Sequence, residues 1–224
     1  MPSRGSAQVM GRDGELEIFT RLAQDAASGR GRLVLIEGEP GIGKTSLLRA
    51  FLADAGLFSR AVTGAAAEFD QRLPFATVGS CLEPLASGDP QVAKVLALIR
   101  GAGAEYPVIE SVLALVEKWC AAGPVAVAVD DLHWADFASI LLLHRLARVA
   151  GQLPLLLAAA RRSSAGGADI DALVRTWLGH GAAQITLGPL PDAAVHRLVA
   201  DLAGGQPGPA LRGLVFGAAG NPRS

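Results

Sequence analysis

Apolar residues in this 224-residue chain recur with two different spacings. Unbroken runs such as Leu33 to Ile36, Pro124 to Val129 and Leu153 to Ala160 have the length of strands buried on both faces, and the last two are closed by charge at Asp130 and Arg161. Longer stretches with helical spacing lie between them. The pattern predicts strands over 33–37, 61–65, 125–130, 154–160 and 183–187. It predicts helices over 13–27, 44–55, 75–86, 90–100, 108–122, 136–150, 168–179, 191–202 and 208–219. Strands alternating with helices imply an α/β fold whose parallel sheet is covered on both faces. Pro189 and Pro191 bracket a turn into a helix for which Asp192 is the expected N-cap. Gly204 to Pro209 reads as a hinge, dividing a sheet domain over 1–203 from the start of a helical piece over 204–224.

One turn in this pattern carries chemistry. Gly38-Glu39-Pro40-Gly41-Ile42-Gly43-Lys44-Thr45 fills the phosphate-binding pattern G-x-x-x-x-G-K-[ST] at every fixed position, with Ser46 following. Glycines let the backbone curl so that successive N–H groups face phosphate oxygens, while Lys44 meets phosphate and Thr45 meets Mg²⁺. A short strand precedes the loop and a helix follows it, which aims the positive helix N-terminus at the phosphates. Glu39 inside the loop is expected to turn its side chain away, toward solvent or Arg12, and Pro40 to stiffen the bend.

The acidic partner of this loop lies downstream. The apolar strand Val125 to Val129 ends in Asp130-Asp131, the arrangement that P-loop ATPases place beside the phosphates. Asp130 is expected to hold Mg²⁺ and Asp131 to polarise the attacking water; the plain alternative is a capping pair before the helix that starts near Asp136. Arg161, at the C-terminal end of another buried strand, could stabilise γ-phosphate charge or pair with a carboxylate.

Composition narrows the reading further. Half the residues are hydrophobic, yet no apolar run reaches the roughly eighteen residues that cross a bilayer. The formal net charge is −1 and the charges are scattered, so there is no electrostatic footprint for nucleic acid. The segment Met1 to Ser6 lacks an apolar core of signal-peptide length, which points to the cytoplasm. Cys81 and Cys120 are expected to be buried free thiols. His133 has no His or Cys at ligand spacing, so a structural role beside the strand end is the default, as packing is for Trp134. Arg145 and Arg148 are candidates for reaching a neighbouring subunit, against a solvated helical face.

With these residues in place, Asp130-Asp131-Leu132-His133-Trp134-Ala135-Asp136 resembles the second nucleotide motif of STAND-class signalling ATPases, in particular the large ATP-binding regulators of the LuxR family. Met10-Gly11-Arg12-Asp13-Gly14-Glu15-Leu16 resembles that family's opening segment, whose backbone lies near the adenine, and Leu155 to Arg161 its strand with a γ-phosphate-sensing arginine. Because Arg162 follows, either arginine could be the sensor. Gly220-Asn221-Pro222 is similar to the lid motif where a proline approaches the base, although Arg223 stands where an apolar residue is usual. The resemblance implies a P-loop NTPase fold of the AAA+/STAND kind with a helical lid begun near residue 204. It implies ATP or ADP with Mg²⁺ as ligands, slow hydrolysis, and nucleotide-dependent self-association. Family members continue into further helical regions and often a helix-turn-helix, so a fragment is expected, with any DNA contact outside this chain. The rival readings are an AAA+ motor with steady turnover, a P-loop kinase and a nucleotide-binding scaffold that never hydrolyses.

Overall fold

Side-chain alternation along the central strands sorts the molecule into two layers around one sheet. The computed structural model describes residues 9–53, 56–101, 105–163 and 165–202. Strands β1 (Arg32–Gly38), β2 (Arg60–Ala65), β3 (Val125–Asp130), β4 (Leu155–Arg161) and β5 (Ala183–Leu187) pair in the order β2-β3-β4-β1-β5, and every pairing is parallel. The helices are α1 (Asp13–Ala27), α2 (Lys44–Ala53), α3 (Ala76–Leu82), α4 (Pro90–Arg100), α5 (Glu105–Ala122), α6 (Phe137–Ala150), α7 (Ala168–Gly179) and α8 (Asp192–Leu202).

Leu33 and Leu35 of β1, with Leu155, Leu157 and Ala159 of β4, face a large core built with α3 to α7. Their neighbours Val34, Ile36, Leu156, Ala158 and Ala160 face a smaller core with α1 and α2. Strands buried on both faces need apolar residues at consecutive positions, which is why these segments read as unbroken runs. In the smaller core Phe51 of α2 sits between Phe19 and Phe58, with ring centroids 4.4 and 5.8 Å away. The small side chains Ala126, Ala128, Ala158 and Ala160 on this face leave room for that aromatic cluster.

Three helices differ from expectation for local reasons. The expected helix over 75–86 stops at Leu82 and tightens into a 3-10 turn over Glu83–Leu85, because Pro84 has no N–H to continue the ladder. Its first expected residue, Phe75, is left-handed instead, at φ +61°. Helix α5 begins three residues early, since Pro107 falls in the first turn, where an N–H has no intrahelical partner anyway. Asp192 is the first residue of α8 rather than its cap; the Pro191 carbonyl accepts from Ala194 and Val195. Cys81 and Cys120 are buried and free, as expected. No described helix is long and apolar enough to cross a membrane. The expected helix over 208–219, the hinge at 204–209 and the domain division they mark lie outside the described residues.

Helix α3 lies so close to edge strand β2 that a Cβ on Gly64 would stand 2.5 Å from both Cys81 Sγ and Ser80 Oγ and 2.6 Å from Cys81 N. Gly64→Ala is therefore expected to destabilise the fold by about 1–3 kcal/mol, read as a lower urea midpoint at unchanged slope.

Candidate phosphate site

The site grows from where the connections leave the sheet. After β1 the chain crosses to α2 on the smaller-core face, whereas after β3 and β4 it crosses to α6 and α7 on the other. Connections that part in this way open a crevice over the C-terminal strand ends, the usual ligand position in open α/β sheets.

The loop after β1 closes on itself. Gly41 and Gly43 adopt φ +80° and +106°, and a Cβ on Gly38 would lie 2.8 Å from Ile42 Cγ2 and 3.1 Å from the Leu187 carbonyl oxygen. Glu39 and Pro40 are exposed, Ile42 is buried, and Thr45 and Ser46 lie on the first turn of α2, which carries no acidic residue. Lys44 is buried, and its Nζ donates to the carbonyls of Gly38 at 2.8 Å and Glu39 at 2.9 Å. Burial pushes the Lys44 pKa below its ordinary value, opposed by the charges of Asp131 and Asp130.

Those two acids end β3 as expected, but in different surroundings. Asp130 is buried and its Oδ1 accepts from the Asp131 N–H at 2.9 Å. Asp131 is left-handed at φ +49°, and its side chain is about half exposed. His133 lies within this turn with its side chain 1% exposed, its Nδ1 3.9 Å from Asp131 Oδ1 and neither ring nitrogen hydrogen-bonded. Burial, helped by Arg162 and Lys44, lowers its pKa against the pull of Asp131. A structural role is the default for His133 from the sequence, and its depth in this turn sets it beside the acids.

The two arginines at the end of β4 separate. Arg161 stands in register with Glu37 across the β1–β4 pairing, donates from Nε to Glu37 Oε1 at 2.6 Å and reaches Asp171 at 3.3 Å. Glu37 also accepts from Gln184. Arg161 thus takes the carboxylate pairing that the sequence left open. Arg162, just past the strand, is half-buried, and its charge acts on both Lys44 and His133. Arg145 and Arg148 are exposed on α6.

A third group gathers at the other side of the loop. Arg12 is buried and donates to the carbonyls of Gly188 at 2.6 Å and Ile42 at 3.3 Å and to Glu15 at 3.0 Å. It therefore binds loop carbonyls, and the expected approach of Glu39 gives way to Glu15. Gly11 is left-handed at φ +74°, and a Cβ there would meet Ala194 Cβ at 2.4 Å, so this segment lies directly against α8. Pro222 lies outside the described residues.

Residues 8–158 match the AAA ATPase domain. The chain belongs to the AAA ATPase domain family. An uncharacterized protein of Rhizobium meliloti (strain 1021) is 30% identical over 212 residues, covering 78% of this chain and 20% of that protein, so the chain spans about a fifth of its curated relative. Cdc6p from Pyrobaculum aerophilum superposes with a TM-score of 0.62 at 16% identity, over 93% of this chain and 54% of that one. A STAND protein with a tetratricopeptide repeat sensor from Pyrococcus horikoshii gives 0.57 at 20% identity, over 99% of this chain and 30% of that one. These likenesses place the AAA ATPase domain in the P-loop NTPase fold expected from the sequence.

The residues of this AAA ATPase domain suit a nucleotide polyphosphate with a divalent ion. The bend is too tight for a Cβ at Gly38, which would strike Ile42 and Leu187, and the buried Lys44 ammonium is held by the loop's own carbonyls. Among the described residues no group of three or more His, Cys, Asp and Glu could hold a metal by itself. An ion such as Mg²⁺ keeps several waters and needs only one or two protein groups beside phosphate.

Burial lowers the pKa of both His133 and His144. The unfolded chain protonates them near their ordinary value of about 6.5, while the folded chain resists. The stability this contributes is complete above that pH and is lost as pH falls below it. Melting temperature is expected to drop between pH 7.5 and 5.5, and His144→Gln should flatten that slope.

Proposed function

We propose that this domain binds ATP with Mg²⁺, hydrolyses it slowly, and serves as a nucleotide-controlled switch in a larger regulator of the LuxR type. The observation that carries this reading is the geometry of the loop: left-handed Gly41 and Gly43 and the Lys44 ammonium, opposite the carboxylates of Asp130 and Asp131. Strands β1 and β3 are separated by β4, so the strand ends that carry the loop and the acids stand about two strand spacings, roughly 10 Å, apart. A polyphosphate tail and a hydrated ion fit that gap.

In this reading the N–H groups from Gly38 to Ser46 orient the phosphates, and Lys44 turns from the loop carbonyls to phosphate oxygen. Thr45 and Asp130 hold the ion, which supplies charge neutralisation on the phosphates. The exposed Asp131 carboxylate accepts a proton from the attacking water. His133, kept neutral by burial, is placed to hydrogen-bond Asp131 and fix its direction. Arg162 takes the sensing role, because Arg161 is committed to Glu37 and Asp171. Gly11 and Arg12 border the base. Self-association follows nucleotide state, with the exposed Arg145 and Arg148 available to a neighbouring copy. Any DNA contact belongs to segments beyond this chain, and the compartment is the cytoplasm.

Lys44→Ala is expected to abolish ATP binding in titration calorimetry; an unchanged affinity would defeat the proposal. Arg162→Ala should cut hydrolysis by about 10²-fold or more at unchanged melting temperature. Arg161→Ala should instead strip a largely buried carboxylate of its partner and cost about 3 kcal/mol of stability.

A further inference from the structure

The Asp136 carboxylate is 2% exposed and caps two helices at once. Its Oδ1 accepts from Ser139 N at 2.9 Å, which is the ordinary N-cap of α6. The same oxygen accepts from Phe75 N at 2.8 Å and Oδ2 from Thr77 N at 3.0 Å, both at the start of α3, some sixty residues upstream. Ser139 Oγ adds a bond from Val78 N at 3.2 Å. Capping α6 needs only the first of these. The others fasten the β3-to-α6 connection to the β2-to-α3 connection, and the two are also tied at their strand ends, where Ala66 N donates to the Asp130 carbonyl at 3.0 Å.

Between these ties each connection holds one non-glycine residue in the left-handed region, Asp131 at φ +49° and Phe75 at φ +61°, the two such residues among those described. Strained backbone of this kind persists only where the surroundings over-determine it, and it concentrates at functional sites. The span from Asp131 to Asp136 has Leu132 fully buried and His133 nearly so, leaving little slack.

Resting on the ATPase reading above, we infer that Asp136 is a positioning residue: by pinning the far end of this turn to α3, it aims Asp131 and His133 at the attacking water. It touches neither nucleotide nor metal, so its effect falls on the chemical step and not on binding.

The test compares Asp136→Ala, Asp136→Asn and Ser139→Ala with the unaltered chain in ATP hydrolysis under single turnover, nucleotide affinity by calorimetry, and melting temperature. Asp136→Ala should slow hydrolysis by about tenfold to a hundredfold with affinity nearly unchanged. Asp136→Asn keeps an oxygen able to accept from Phe75 and Ser139 and should recover part of the rate. Ser139→Ala removes one tie and leaves the carboxylate in place, so it should lower the melting temperature and slow hydrolysis far less than Asp136→Ala does. Hydrolysis at the unaltered rate by folded Asp136→Ala, or by Asp136→Asn should the alanine variant not fold, overturns the inference. So does a rate that tracks melting temperature across all three. An unaltered chain that neither binds nor hydrolyses ATP removes the ATPase reading itself, a result seen before any variant is made.

Discussion

A buried ammonium held by backbone carbonyls is the constraint around which this domain is arranged. Lys44 cannot be withdrawn from water without acceptors, and the bend supplies them from Gly38 and Glu39. Carbonyls satisfy its donors without neutralising its charge, so the field of the cation remains directed at the crevice. For the bend to exist, β1 must end at a residue without a side chain. The Leu187 oxygen and Ile42 crowd the space that a Cβ on Gly38 would need.

Charges around the loop are sorted by what each must avoid. A carboxylate in contact with Lys44 would cancel the field, and the buried acid of β1, Glu37, is engaged by Arg161 and Gln184 instead. Arg12, buried on the other side of the loop, is satisfied by carbonyls and by Glu15. The acids whose charges act most on Lys44 are those at the end of β3, two strands away. Buried charge paired locally and surplus charge aimed across a gap is the electrostatic layout that polyphosphate recognition requires.

Much of this was legible in the sequence because it is local. Three of the five strands, β1, β3 and β4, announced themselves as apolar runs, and the glycine spacing of the loop and the acids closing Val125 to Val129 need no knowledge of the fold. What stayed hidden depends on strand order and long-range contact. Nothing in Arg161-Arg162 says which guanidinium meets Glu37; the β1–β4 register decides it. Asp136 reads as the start of a helix, but its bonds to Phe75 and Thr77 cross some sixty residues. His133 looked like a lone histidine without ligand spacing, and only its depth in the turn sets it beside Asp131. The misplaced helix ends follow from prolines, whose missing N–H is tolerated at Pro107 and disruptive at Pro84.

The two halves of the site belong to different cores. Loop and α2 rest on the smaller cluster with Phe19 and Phe51, whereas the turn after β3 rests on the larger one through Leu132, Ala135 and Ala138. They face one another across the strand ends, with β4 between β1 and β3. A ligand held at both Lys44 and Asp130 therefore couples packing on opposite faces of the sheet, and its loss or shortening is felt on both. On the larger face that coupling has a rigid exit, since Asp136 ties the acid-bearing turn to α3 and α3 lies against edge strand β2 at Gly64. On the smaller face it runs through Arg12 and Gly11 to α8. The proposed switch would need no large motion at the phosphates: a small change in the distance between the two strand ends would reach the layers on both faces, because close-packed layers shift as units and do not absorb strain locally.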